Sequence, residues 1–224
     1  MAKIHGIPGE WARVKGTVVG LWPLFLCVFV AGAAAALVAF QPIWGGTLLV
    51  CSLLGIIWSL MIGLKRVESF YKGARGEEKI AGILATLPDA YHVFNDFTVG
   101  RNHVDHVVAG PGGVFAIETK FWNGKVTVED GHVLLDGQLP DRSPLNQAIR
   151  EATLVRNALV AAGWNGLVTP VVAFASDSFT AHRANLKGTV IINSNELRSS
   201  FDTDRVVIPP AELERLVGLM EGIG

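Results

Sequence analysis

The chain has 224 residues, half of them hydrophobic and 17% charged, with a net charge of −1. That apolar content excludes a disordered chain, and the balanced charge gives no sign of a polyanion partner. Two cysteines in a chain of this length exclude a disulfide framework.

Lys3, Arg13 and Lys15 lie in a first segment, residues 1–16. From Gly16 to Leu64 there is then no Asp, Glu, Lys or Arg. An apolar helix of about 20 residues crosses the hydrocarbon core of a bilayer, so the run predicts two spans. Gln41-Pro42 marks the turn, with Thr17–Phe40 before it and Ile43–Leu64 after it. A signal peptide is a poorer match, because its apolar region is only about 7–15 residues long. Lys65, Arg66, Lys72 and Arg75 follow the second span, and the turn carries no charge. The positive-inside rule then puts both termini in the cytoplasm, as a multi-pass protein of an inner or plasma membrane. Trp22, Trp44 and Trp58 suit interfacial positions. Gly32 to Ala36, with Gly45, Gly46 and Gly55, provide small-residue surfaces for packing within the hairpin or against further copies of the chain. The spans hold no ionisable side chain other than Cys27 and Cys51, which act there as small apolar residues. This predicts an anchor in a lipid bilayer and argues against a channel.

Residues 65–72 read as a linker or helical continuation, and 73–224 as one α/β domain. Lys65–Gly224 holds 16 Lys and Arg against 19 Asp and Glu. Ala74–Leu87 has helical spacing of Ile80, Ile83, Leu84 and Leu87, stopped by Pro88. Strands are predicted at Tyr91–Phe97, Val104–Ala109 and Val114–Lys120, the last two joined by a turn at Gly110-Pro111-Gly112-Gly113. Lys125–Glu129 and His132–Leu135 form a second hairpin. Ser143 caps a helix to Ala162, with Pro144 at its first position and Gly163 beyond it. Thr169–Ala175 and Thr189–Ile192 are buried-type strands, and Ala211–Glu221 is a closing helix. The order predicts a mixed sheet flanked by helices.

The chemistry is concentrated in the Val104–Lys120 hairpin. A turn centred on Pro111-Gly112 makes Asp105 face Glu118 and His103 face Lys120. Asp105, Val107 and Ala109 then share a face with Val114, Ala116, Glu118 and Lys120. Opposed carboxylates are destabilising on a sheet, and a divalent cation satisfies both. Mg²⁺ prefers oxygen ligands and uses one or two carboxylates plus water and phosphate. With Lys120 alongside, the set suits metal-assisted phosphodiester hydrolysis. The plainer alternative is a Glu118–Lys120 ion pair at a sheet edge with Asp105 at a strand end. A third arrangement, His103 with Asp105 and Glu118, would make a transition-metal site. His106 points to the other face. No phosphate loop, nucleophile elbow or zinc spacing is present.

Gly76-Glu77, Val104–Val108 (VDHVV), Gly110–Lys120 (GPGGVFAIETK), Gly124 and Pro144–Gln147 (PLNQ) occur in that order. Together they resemble the nuclease-related domain, NERD, a branch of the PD-(D/E)xK nuclease superfamily, over Gly73 to Ala175. The resemblance implies a restriction-endonuclease-like fold and a Mg²⁺ or Mn²⁺ cofactor held by Asp105, Glu118 and Glu77. It implies that Lys120 is the catalytic lysine and that Gln147 lies on the helix beside the site. The implied partner is nucleic acid, DNA before RNA. Glu78 sits about 100° round the helix from Glu77, so only one of the two reaches the site; the alternative for Glu77 is a solvated helix acid, and for Gln147 an exposed helix amide. Phe121 stands where an Asn often follows the lysine. The function implied is a membrane-anchored nuclease. The alternative is an inactive nuclease-like scaffold that recruits nucleic acid or protein, which the acidic balance favours.

Overall fold

The computed structural model describes residues 1–179, 183–201 and 206–224. It divides into two compact units, Glu10–Ala74 and Met1–Gly9 with Arg75–Gly224.

The first unit is a helical hairpin. Helix α1 is Glu10–Val38 and α2 is Pro42–Leu84. Leu37 O accepts the N–H groups of Phe40 and Gln41, and Pro42 opens α2, where its missing N–H costs nothing. Both helices are long and apolar enough to cross a membrane. Only 6% and 17% of their most apolar windows are buried, which distinguishes them from core helices of a soluble protein. Glycine makes the seam between them. A Cβ on Gly16 would lie 2.4 Å from Phe70 Cβ, and one on Gly20 would lie 2.5 Å from Val67 Cγ2. Gly63 would meet Gly20 O at 2.5 Å, Gly55 would meet Cys27 Sγ at 2.9 Å, and Gly45 would meet Val38 N at 2.5 Å. Of the small residues expected to pack, Gly45, Gly55 and Ala34 are in contact or buried, whereas Gly32 and Gly46 face open space. A helix buries one stripe only, and those two glycines fall outside it.

Lys65–Gly73 is helix, continuous with both sides. Nothing between Leu64 and Pro88 stops a helix, since interior glycine costs only about 1 kcal/mol.

The second unit is a seven-stranded mixed sheet. Its strands are β1 (Lys3–His5), β2 (His92–Val99), β3 (Asn102–Gly110), β4 (Gly113–Lys120), β7 (Val168–Phe174), β8 (Arg183–Leu186) and β9 (Thr189–Asn193). Their order is β1-β2-β3-β4-β7-β9-β8. The small hairpin β5 (Val126–Glu129) and β6 (His132–Leu135) stands apart from the sheet. Strand β1 pairs in parallel with β2, Lys3 opposite His92. Three residues carry no periodicity, so neither β1 nor the edge strand β8 was legible in the sequence. The chain leaves this unit at Gly9 and re-enters it at Arg75.

Helix α3 (Pro144–Ala161) starts where predicted, with Ser143 Oγ accepting from Asn146 N. The short α4 (Ser194–Leu197) and closing α5 (Pro210–Glu221) follow. Leu159 of α3 and Leu216 of α5 pack with Val107 and Ala116 on one side of the sheet. Ile80 and Leu84 of α2 pack with Val93, Val108 and Ile117 on the other.

Candidate active site

The β3–β4 turn has the predicted register. Gly110 faces Gly113, and the pairs run in step to His106–Ile117. There the ladder stops, one rung short of Asp105 and Glu118. Thr119 N–H donates instead to Asp105 Oδ2 at 2.8 Å. Strand β4 continues beside β7, with Glu118 opposite Val172 and Lys120 opposite Phe174.

The β2–β3 ladder is interrupted at the same rung. Asn95 faces His106 and Phe97 faces Val104, but the Asp96–Asp105 pair between them is missing. Asp96 has φ 53, a conformation that Asp tolerates better than most residues. Phe94 and Phe97 join one core cluster, as do Val104 and Val107; regular strands would split each pair between faces. Alternation therefore holds from Val107 to Ala109 but does not continue back through Asp105. Three neighbouring strands bring Asp96, Asp105 and Glu118 to one rung, and the backbone departs from regular geometry there.

Glu77 arrives from α2. Gly76 makes this possible, because a Cβ there would lie 2.9 Å from Phe121 Cβ. Glu77 is 8% exposed, and its pKa is pushed up to about 7. Burial is the main cause; the charges of Asp96 and Glu118 add to it, while His103 and the N–H of Gly9 oppose it. Asp105 is driven well above the usual carboxylate range by burial and by Glu118, Glu77 and Glu151, against the Thr119 bond. Glu118 is 3% exposed; its Oε1 accepts from Lys120 Nζ, and its Oε2 is buried without a donor. Lys120 Nζ also donates to Gln147 Oε1 at 3.0 Å.

The expected His103–Lys120 pairing does not form. His103 opposes Thr98 across β2–β3, and its Nδ1 lies 3.3 Å from Asp96 Oδ1. His106 is fully buried against Asn95 Oδ1, and burial pushes its pKa down to about 3. Among the described residues, no three His, Cys, Asp or Glu side chains are arranged as a metal-holding group. The donor set nonetheless fits a hard cation: oxygen ligands only, a buried Glu118 oxygen with no donor among the described residues, and acid charges that raise the pKa values of Glu77 and Asp105.

Two acids were not anticipated. Asp96 left no pattern beyond a polar pair, Asn95-Asp96, inside a strand. Glu151 did leave one. It interrupts the apolar stripe Ala148, Ala152 and Val155 of α3, where an acid has no stabilising role unless it is paired. Its pKa is pushed up to about 9, mainly by burial and then by Glu118.

Residues 72–175 match the family model of NERD, the nuclease-related domain. This part of the chain is similar to the nuclease-related domain. No curated protein and no solved structure matches the chain. The NERD segment supplies β2 to β7 and α3, and with them Glu77, Asp105, Glu118, Lys120 and Gln147. Strand β1 on one edge, and β9 and β8 on the other, come from outside it. The structure explains two NERD-motif glycines by close approach. Gly76 admits Phe121, and Gly124, at φ 108, admits the Asp136 carboxylate that accepts Lys125 N–H at 2.7 Å.

Proposed function

We propose that this protein is a membrane-anchored, Mg²⁺- or Mn²⁺-dependent nuclease that hydrolyses phosphodiester bonds of DNA, or of RNA, at the cytoplasmic face. The observation that carries the reading is the meeting of Glu77, Asp105, Glu118 and Lys120 where β3 parts from β4. In this reading Asp105, Glu118 and Glu77 hold the cation, which when bound supplies Lewis acidity at the phosphoryl oxygen and lowers the pKa of water. Asp105 is held by Thr119 N–H through Oδ2, which leaves Oδ1 for the cation in this reading. Lys120 lies at the boundary with solvent, its side chain 18% exposed. It is the member a phosphate reaches, and its ammonium offsets negative charge developing on the phosphoryl oxygens. Gln147 holds the amine in place.

The anchor rests on the two apolar helices, and its orientation on the flanking Lys and Arg. That β1 and the NERD-like segment belong to one unit supports the reading in which both ends of the hairpin lie on the same side of a bilayer. Tethering there raises the effective concentration toward nucleic acid arriving at the membrane.

The test uses the full chain in detergent micelles, because cutting before Lys65 would strip β1 from the sheet. Single-stranded DNA, duplex DNA and RNA are incubated with Mg²⁺ or Mn²⁺. Cleavage by the wild type, lost in both Asp105→Ala and Lys120→Ala, is the expected result; activity that survives both changes overturns the assignment. The second reading, an inactive scaffold, is favoured by the lack of a ready-made three-ligand group among the described residues. A Mn²⁺ titration decides between them, since a protein that binds no Mn²⁺ is the scaffold.

A further inference from the structure

The polar groups around Lys120 form a hydrogen-bonded chain. Lys120 Nζ donates to Glu118 Oε1 and to Gln147 Oε1. Gln147 Nε2 donates to Glu151 Oε1 at 3.0 Å. Glu118 raises the pKa of Glu151, and the Oε2 atoms of both are buried with no hydrogen-bond partner among the described residues. Glu151 itself is 4% exposed.

A glutamine amide has two orientations, related by a half-turn, which exchange its oxygen and its NH₂. Only one presents an acceptor to Lys120; the other sets the NH₂ against an ammonium. Lys120 favours the first, and a partner that accepts from the NH₂ reinforces that choice. The i, i+4 spacing on α3 stacks Glu151 over Gln147 on one helix face, so a Glu151 carboxyl oxygen accepts from the NH₂ and turns the amide oxygen toward Lys120. The Ser143 cap and Pro144 fix where α3 begins, and hence which residues form that face.

We propose that Glu151 is a positioning residue for Lys120, acting through the Gln147 amide, and not a ligand of the cation. The inference rests on the nuclease reading for its kinetic consequence only; the geometry of the amine is measurable without it.

The experiment compares the full chain in detergent as wild type, Glu151→Gln and Glu151→Leu. Glutamine keeps an acceptor for Gln147 and adds a donor for Glu118; leucine removes both. Limited reductive methylation of lysines, quantified by mass spectrometry, reads how firmly the Lys120 amine is held, with Lys125 as internal reference. Glu151→Leu is expected to raise Lys120 labelling several-fold, and Glu151→Gln to leave it at the wild-type level. If Glu151→Leu does not fold, Gln147→Leu at the half-buried neighbouring position breaks the same link and gives the same rise.

Under single-turnover cleavage, Glu151→Leu should lower kcat by about tenfold or more, the usual effect of losing an outer partner, with KM held, and Glu151→Gln should recover most of that loss. Unchanged labelling in the leucine variants overturns the proposal. So does a tenfold loss of Mn²⁺ affinity in Glu151→Gln, because that makes Glu151 a ligand. A wild type that cuts nothing but shows the labelling pattern sinks the nuclease reading and leaves the positioning role standing.

Discussion

The helical hairpin and the acidic rung break opposite rules of soluble proteins. Between Glu10 and Ala74 large apolar side chains such as Phe25, Phe29 and Trp58 face outward, and the helix contact is made by glycine. In the other unit the side chains that should face water, Glu77, Asp105, Glu118 and Glu151, are buried together. Exposed apolar surface requires hydrocarbon, and buried like charges require protons or a cation. These two features are what the proposed cation-dependent nuclease at a lipid surface rests on.

The largest expected effect tests the acidic region. Asp105→Ala and Lys120→Ala should each lower cleavage by roughly 10²–10³-fold, the scale found when one preorganised charge-stabilising group is removed. An equal loss in a surface variant such as Arg142→Ala would mean that the site lies elsewhere.

Next comes the coupling of pH to a cation. Glu77 and Glu151 have folded pKa values above their unfolded ones, so the stability they contribute is present below about pH 4.5 and is lost as pH rises through about 7 and about 9, and Asp105 shifts in the same direction. His106 has the opposite sign: its folded pKa of about 3 lies below the unfolded value, so its contribution is lost as pH falls from about 6.5. The metal-free protein should therefore show a Tm that falls from about pH 5 upward, Glu77 and Asp105 accounting for the part that a cation can offset. Mg²⁺ should reverse that fall, by about 2.7 kcal/mol at a hundredfold excess over Kd, and should do far less at pH 5. A Tm gain that is the same at both pH values would separate the cation from these carboxylates.

The hairpin is tested by overpacking its seam. Gly20→Val should cost about 1–3 kcal/mol of resistance to unfolding in detergent, whereas Gly32→Val, in open space, should cost little. Equal losses would place the seam elsewhere. The smallest effect belongs to the cap: Ser143→Ala should cost about 1 kcal/mol, read as a lowered thermal midpoint.

Much of this was legible because it depends on neighbours in sequence. The uncharged run, the Gly110–Gly113 turn and its register, the Ser143-Pro144 helix start, and the convergence of Glu118 with Lys120 all follow from local pattern. Asp105 against Thr119 N–H was not legible, since it arises where a ladder ends, and no sequence signal shows where two strands part. His103 was assigned to Lys120 by extending a ladder that stops earlier. Glu151 was visible as an acid in an apolar stripe, but its partners Gln147 and Glu118 come from two different elements. Strands β1 and β8 are edge pieces whose conformation is imposed by a neighbour.

The sequence by itself determined the two apolar helices, the strand-turn-strand unit and the residue types at its open end, because helix and strand periods and turn chemistry are short-range. The tertiary structure decided which glycines meet, which acids share a rung, and that the first residues of the chain close an edge of the same sheet. These depend on contacts between segments far apart in the chain, where burial and charge are fixed by what packs alongside.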